Sequence, residues 1–135
     1  MIKIVMGSKG SGKTKKLIEA VKVAIEEEHG NVVVIEKDDH LRYDVDYRAR
    51  LISSDEYAVD SFDKFTGFVS GLVAGNYDIT AIFVDSVMKI CKSTDLAELE
   101  QFITKIEPIA KNVKFFITVS MDAGLATDTL KPYLA

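Results

Sequence analysis

Residues Gly7-Ser8-Lys9-Gly10-Ser11-Gly12-Lys13-Thr14 match the pattern G-x-x-x-x-G-K-[ST] in full. At average residue frequencies, roughly half a percent of chains this long would carry such a match by accident. The chemistry it suits is polyphosphate binding. Gly7, Gly10 and Gly12 let the backbone curl so that successive N–H groups point inward at anionic oxygens. Lys13 can reach the β- and γ-phosphates of a nucleotide, and the Thr14 hydroxyl can ligate Mg²⁺. Ser8, Lys9 and Ser11 complete the loop, so Gly7 through Thr14 are the expected nucleotide contacts.

Such a loop needs an acid for the metal. Ala81-Ile82-Phe83-Val84-Asp85 reads as a buried strand that ends in a carboxylate, and Asp85 is the expected Mg²⁺-side acid. Many enzymes of this chemistry place a glutamate directly after that aspartate to activate water. Here the next residue is Ser86. Another acid would have to serve, and Glu36, at the end of the second strand, is the best placed, with Asp38 and Asp39 as neighbours. Lys13 and Glu36 are therefore the expected catalytic pair, and a solvated acidic loop is the competing account of Glu36, Asp38 and Asp39.

The elements around these residues follow from periodicity. Ile2 to Met6 is a short apolar run ending in glycine, a buried strand. From Lys13 to about Glu28, Leu17, Ile18, Val21, Ala24 and Ile25 recur at helical spacing, and Gly30 suits a left-handed helix end. Val32 to Ile35 is a second strand; strand, helix and strand without a hairpin imply a right-handed crossover with parallel pairing. Arg48 to Ile52 is the one strand pattern in the polar stretch 36–60. A helix follows, capped by Asp60 or Ser61, with Phe62, Phe65, Val69, Leu72 and Val73 as its stripe. Gly67, Gly71 and Gly75 lie four apart on it; close packing of its backbone on the sheet is the expected reason, and a partner helix the alternative. Ser93, Thr94 or Asp95 caps a third helix (Leu99, Phe102, Ile103, Ile106) that Pro108 should end, and Val113 to Val119 is the last strand. The fold expected is α/β, a three-layer αβα sandwich with a mostly parallel sheet in a single domain spanning 1–135.

Together the glycine loop, its strand–helix setting and Asp85 resemble the P-loop NTPase superfamily. Within it, the opening run through Leu17-Ile18 looks somewhat like the bacterial-type thymidine kinases, without their glutamate after the metal aspartate or their zinc cysteines. The resemblance implies ATP and Mg²⁺ as cofactors. Guanine specificity is not expected, because Val119-Ser120-Met121-Asp122 has the aspartate of [NT]-K-x-D without its lysine.

The charge pattern agrees with an anionic ligand. Lys9, Lys13, Lys15 and Lys16 crowd the start of the first helix and Glu26, Glu27 and Glu28 its end, opposite to what the helix dipole favours. The whole chain of 135 residues has a net charge of −4, which argues against coating of nucleic acid. No apolar run nears the ~20 residues that cross a bilayer, and the N-terminus lacks a signal-peptide core, so a cytoplasmic protein is expected. Arg48 and Arg50 are candidates to approach a γ-phosphate, with ion pairing to Asp44, Asp46 or Asp55 as the plainer expectation. His29 and His40 read as surface residues and Cys91 as a buried thiol. Tyr43, Tyr47 and Tyr57 offer stacking surfaces that nothing selects between. Three functions are in competition. The first is an ATPase that turns over slowly or only with a partner, whether a protein or a second copy of the chain. The others are a small nucleoside-kinase-like phosphotransferase and a non-catalytic nucleotide sensor.

Overall fold

A computed structural model describes all 135 residues. The elements in chain order are β1 (Ile2–Met6), α1 (Lys13–Glu27), β2 (Asn31–Glu36), β3 (Arg50–Ser53), α2 (Phe62–Gly75), β4 (Ile79–Asp85), α3 (Val87–Ile90), α4 (Leu96–Ile106) and β5 (Lys114–Val119). All five strands are parallel, in the order β1-β5-β4-β2-β3. Short 3-10 turns at 54–57, 109–111, 123–125 and 131–133 fill the connections. The expected α/β sandwich is the observed fold.

The sheet separates two apolar layers of unequal size. On one face Leu17 and Val21 of α1 pack on Val32, Val34, Ala81 and Phe83. On the other, Phe62, Phe65 and Val69 of α2 and Leu99, Phe102 and Ile106 of α4 cover Ile4, Ile35, Ile82 and Ile117. Buried on both sides, β2 and β4 are continuous apolar runs, as a central parallel strand requires. Ser61 caps α2 by accepting from the Lys64 amide, and Asp95 caps α4 by accepting from the Ala97 amide. Cys91 is buried, and burial pushes its thiol up to about 12, so it stays protonated at neutral pH.

Two glycine expectations are corrected. Gly30 is not left-handed; α1 ends at Glu28 in an extended conformation. A Cβ at Gly30 would lie 2.2 Å from the Asp78 carbonyl oxygen, so a close approach of the next strand explains the glycine instead. The row Gly67, Gly71, Gly75 does not pack on the sheet. A Cβ at any of the three would meet nothing within 4 Å, because α2 turns its Phe62–Phe65–Val69 face inward and leaves the glycines exposed. Gly67→Ala should therefore stabilise the fold by ~0.5–1 kcal/mol, through a lower backbone entropy of the unfolded chain. Thermal denaturation should show a rise of a few degrees.

The charge-reversed helix is resolved at one end only. At the C-terminal end of α1, Glu26 pairs with Arg48 at 3.1 Å and Glu28 with Lys114 at 2.7 Å. The Lys114 ammonium holds the Glu28 carboxyl below the usual carboxylate range. At the N-terminal end there is no acidic residue in the first turn. The cations there meet no carboxylate of the chain.

Candidate phosphate and metal site

The strand order puts β1 and β4 on either side of β5, with their carboxyl ends together. In open α/β sheets the crevice outside those ends is where ligands bind. The loop 7–12 leaves β1 at this edge. Gly10 and Gly12 have φ of 84° and 87°, a left-handed backbone that favours glycine, and Gly12 is the residue from which α1 starts. Ser11 N–H bonds Ser8 O at 3.1 Å and Gly7 N–H bonds Val119 O at 3.2 Å. The amides of Gly10, Gly12, Lys13 and Thr14 have no backbone acceptor, so the curl presents a set of free donors at the positive end of α1.

Lys13 is 7 % exposed, and its Nζ folds back over the loop to donate to Ser8 O at 2.9 Å and, more weakly, to Ser11 Oγ at 3.5 Å. No carboxylate lies within ion-pair distance of it. A buried ammonium without an anion is costly, and such cations are normally paired.

Thr14 and Asp85 are brought together across 71 residues of sequence. The Thr14 hydroxyl lies 3.2 Å and 3.4 Å from the two Asp85 carboxylate oxygens. Thr118, fully buried on β5, donates to Asp85 Oδ1 at 2.8 Å and fixes the orientation of the carboxylate. Sequence reasoning missed Thr118, because a threonine inside Phe-Phe-Ile-Thr-Val reads as an ordinary strand former. A hydroxyl and a carboxylate side by side are hard oxygen ligands. They fit Mg²⁺, which keeps several waters and takes only one or two protein ligands beside substrate phosphates.

Two contiguous cavities meet here. One, about 350 Å³, is lined by the loop residues Lys9, Gly10, Gly12, Lys13 and Thr14 together with Ser86 and Ser120. The other, about 420 Å³, extends past Asp85 to Glu36, Lys37, Asp38, His40 and Lys89. Ser86 and Ser120 stand between them with their hydroxyls 2.9 Å apart.

Glu36 is in this wall, directly beside Asp85 in the sheet register. Its carboxylate is already engaged: Oε1 accepts from the His40 amide at 2.8 Å, and Oε2 from the Leu41 amide at 3.1 Å. Burial pushes its carboxyl above the ordinary range, although the two amide bonds act in the opposite direction. The geometry gives Glu36 the task of anchoring the turn after β2. Asp38 holds His40 Nε2 at 3.0 Å on the rim, and Asp39 pairs with Arg42 outside the cavity. Arg48 is held by Asp46 and Glu26, and Arg50 lines the far edge of the sheet, so neither arginine reaches the loop.

No protein-family model matches the chain, and no curated protein matches it either. No helix is long and apolar enough to cross a membrane.

Proposed function

We propose that this chain binds Mg-ATP at the 7–14 loop and hydrolyses it slowly. The observation that carries the reading is the Thr14–Asp85 contact beside a buried, anion-free Lys13. Lys13 and Thr14, adjacent in the loop, meet Asp85 from 71 residues away where a bound triphosphate would need a metal ligand pair and a cation. The free loop amides support the same reading, since they would take the β-phosphate oxygens while α1 contributes its positive end. Mg²⁺ held by Thr14 and Asp85 would neutralise charge on the terminal phosphates. Thr118 keeps Asp85 aimed at that position, and Lys13 would exchange its Ser8 carbonyl for phosphate oxygens. Ser86 and Ser120 face the same space with hydroxyls, which do not take up a proton at neutral pH. Efficient activation of water is what the site lacks.

Titration calorimetry with ATP, in the presence and absence of Mg²⁺, tests the proposal. Binding of Mg-ATP by the wild type is the expected result, and no heat at any concentration would overturn it. Asp85→Asn should lose about tenfold or more of the Mg²⁺-dependent affinity while keeping the affinity for metal-free ATP. Equal losses in both arms would make Asp85 a structural cap.

A further inference from the structure

The two edges of the sheet are treated differently. Along β1, Leu134 bridges to Ile4 and the Ala135 amide donates to Ile4 O at 2.9 Å. Along β3, no segment pairs with the outer edge. An open strand edge is a row of unpaired N–H and C=O groups that invites another strand. Beside it lies the largest cavity of the molecule, about 840 Å³, on the far side of the sheet from the phosphate loop's strand. Its walls include Leu51 of β3 and Phe68, Gly71, Leu72 and Gly75 of α2. Gly71 and Gly75 belong to the glycine row that has no packing role inside the chain, so at these two positions another surface can approach the α2 backbone directly.

The charges along β3 select the occupant. Cations precede the strand's apolar centre and carboxylates follow it: Arg48 and Arg50, then Asp55 and Glu56. Arg48 is taken by Asp46 and Glu26, and Asp55 by Lys37. Arg50 and Glu56 remain exposed with no ion-pair partner, one before the strand's centre and one after it. Asp55 and Glu56 lie in the 54–57 turn just past the strand, so antiparallel pairing with β3 of a second copy brings the Arg50 end of each strand beside the acidic turn of the other. By two-fold symmetry the complementary contact is made twice, as in any isologous interface. A parallel arrangement would set like charges against each other. Tyr47, 93 % exposed on the rim, offers aromatic surface to the second copy.

We propose that the β3 edge and the glycine-walled groove form a homodimer interface, with β3 antiparallel to β3 of the second copy and Arg50 of each chain beside the 54–57 turn of the other that carries Glu56. This surface is independent of nucleotide and of the phosphate loop. Sedimentation equilibrium of the full chain without nucleotide, from micromolar to submillimolar concentration, tests it. The wild type should dimerise. Arg50→Glu and Glu56→Arg should each weaken association about tenfold or more, because like charges then face each other. The double charge swap should recover association to within a few-fold of wild type. Gly71→Leu should weaken dimerisation while circular dichroism and melting temperature show an intact fold. A wild type that stays monomeric over the whole range overturns the proposal, and so does an edge that captures another kind of chain in preference to a copy. A dimer indifferent to both charge reversals, or one whose double swap fails to recover, overturns it as well.

Discussion

Lys13→Ala should bind Mg-ATP about 10²-fold or more weakly than wild type, because the group lost is a buried charge that only phosphate would pair. Its fold should survive. In the free protein the Lys13 ammonium rests on one good acceptor, the Ser8 carbonyl, with no carboxylate nearby. Removing an unpaired buried charge relieves a penalty, while losing the aliphatic stem costs packing, and the two effects oppose. Lys13→Met keeps most of the stem and removes the charge, so it should melt at or above the wild-type temperature and bind as poorly as Lys13→Ala. Calorimetric titration with ATP and thermal denaturation of the three proteins give the answer. Unchanged affinity in the Met variant would mean the loop is a helix-capping turn and nothing more.

The shape of the 7–14 loop and its strand–helix frame were legible because each rests on local chemistry. Left-handed positions call for glycine at 10 and 12, and a 3.6-residue period marks α1. Asp85 was legible as the end of an apolar run. What was hidden depends on contacts between distant segments. Nothing local says that β5 inserts between β1 and β4, and without that order Thr118 cannot be known to face Asp85. The turn after β2 is similar. From spacing alone Glu36 could be a base or part of a solvated acidic loop, and neither account anticipates a carboxylate turned onto the His40 and Leu41 amides. The glycine row on α2 was misjudged for a related reason. Spacing shows that three glycines share a face, but only the position of Phe62, Phe65 and Val69 decides that this face looks outward.

The isolated wild type should release phosphate from ATP far more slowly than the ~10 s⁻¹ median of enzymes, since a missing general base typically costs ~10²–10⁴-fold. Ser86 stands where an acid next to Asp85 would stand, at the junction of the two cavities, hydrogen-bonded to Ser120. Ser86→Glu should raise the phosphate-release rate by ~10-fold or more, approaching the range a placed base supplies, with little change in ATP affinity. The cradle amides, Lys13 and the Thr14–Asp85 pair do not depend on residue 86. Glu36→Gln distinguishes the two roles available to Glu36. As an anchor of the 37–41 turn, it should leave phosphate release where it is and lower the melting temperature, because the amide NH₂ replaces one accepting oxygen, faces a backbone donor and leaves the Leu41 amide only the longer 3.3 Å contact. As the base, it should suppress phosphate release and leave the melting temperature alone. The hydrogen bonds to His40 and Leu41 favour the first result. The pH dependence of stability adds a check with a definite sign. Burial raises the Glu36 carboxyl above its ordinary range, so the folded state holds this proton more tightly than the unfolded chain. That contribution to stability is fully present below the ordinary glutamate range and is lost as pH rises through the raised value. The Gln variant lacks this component, so the difference in melting temperature between wild type and variant should change across that window, and a difference that stays flat with pH would mean that Glu36 titrates as an ordinary surface carboxylate.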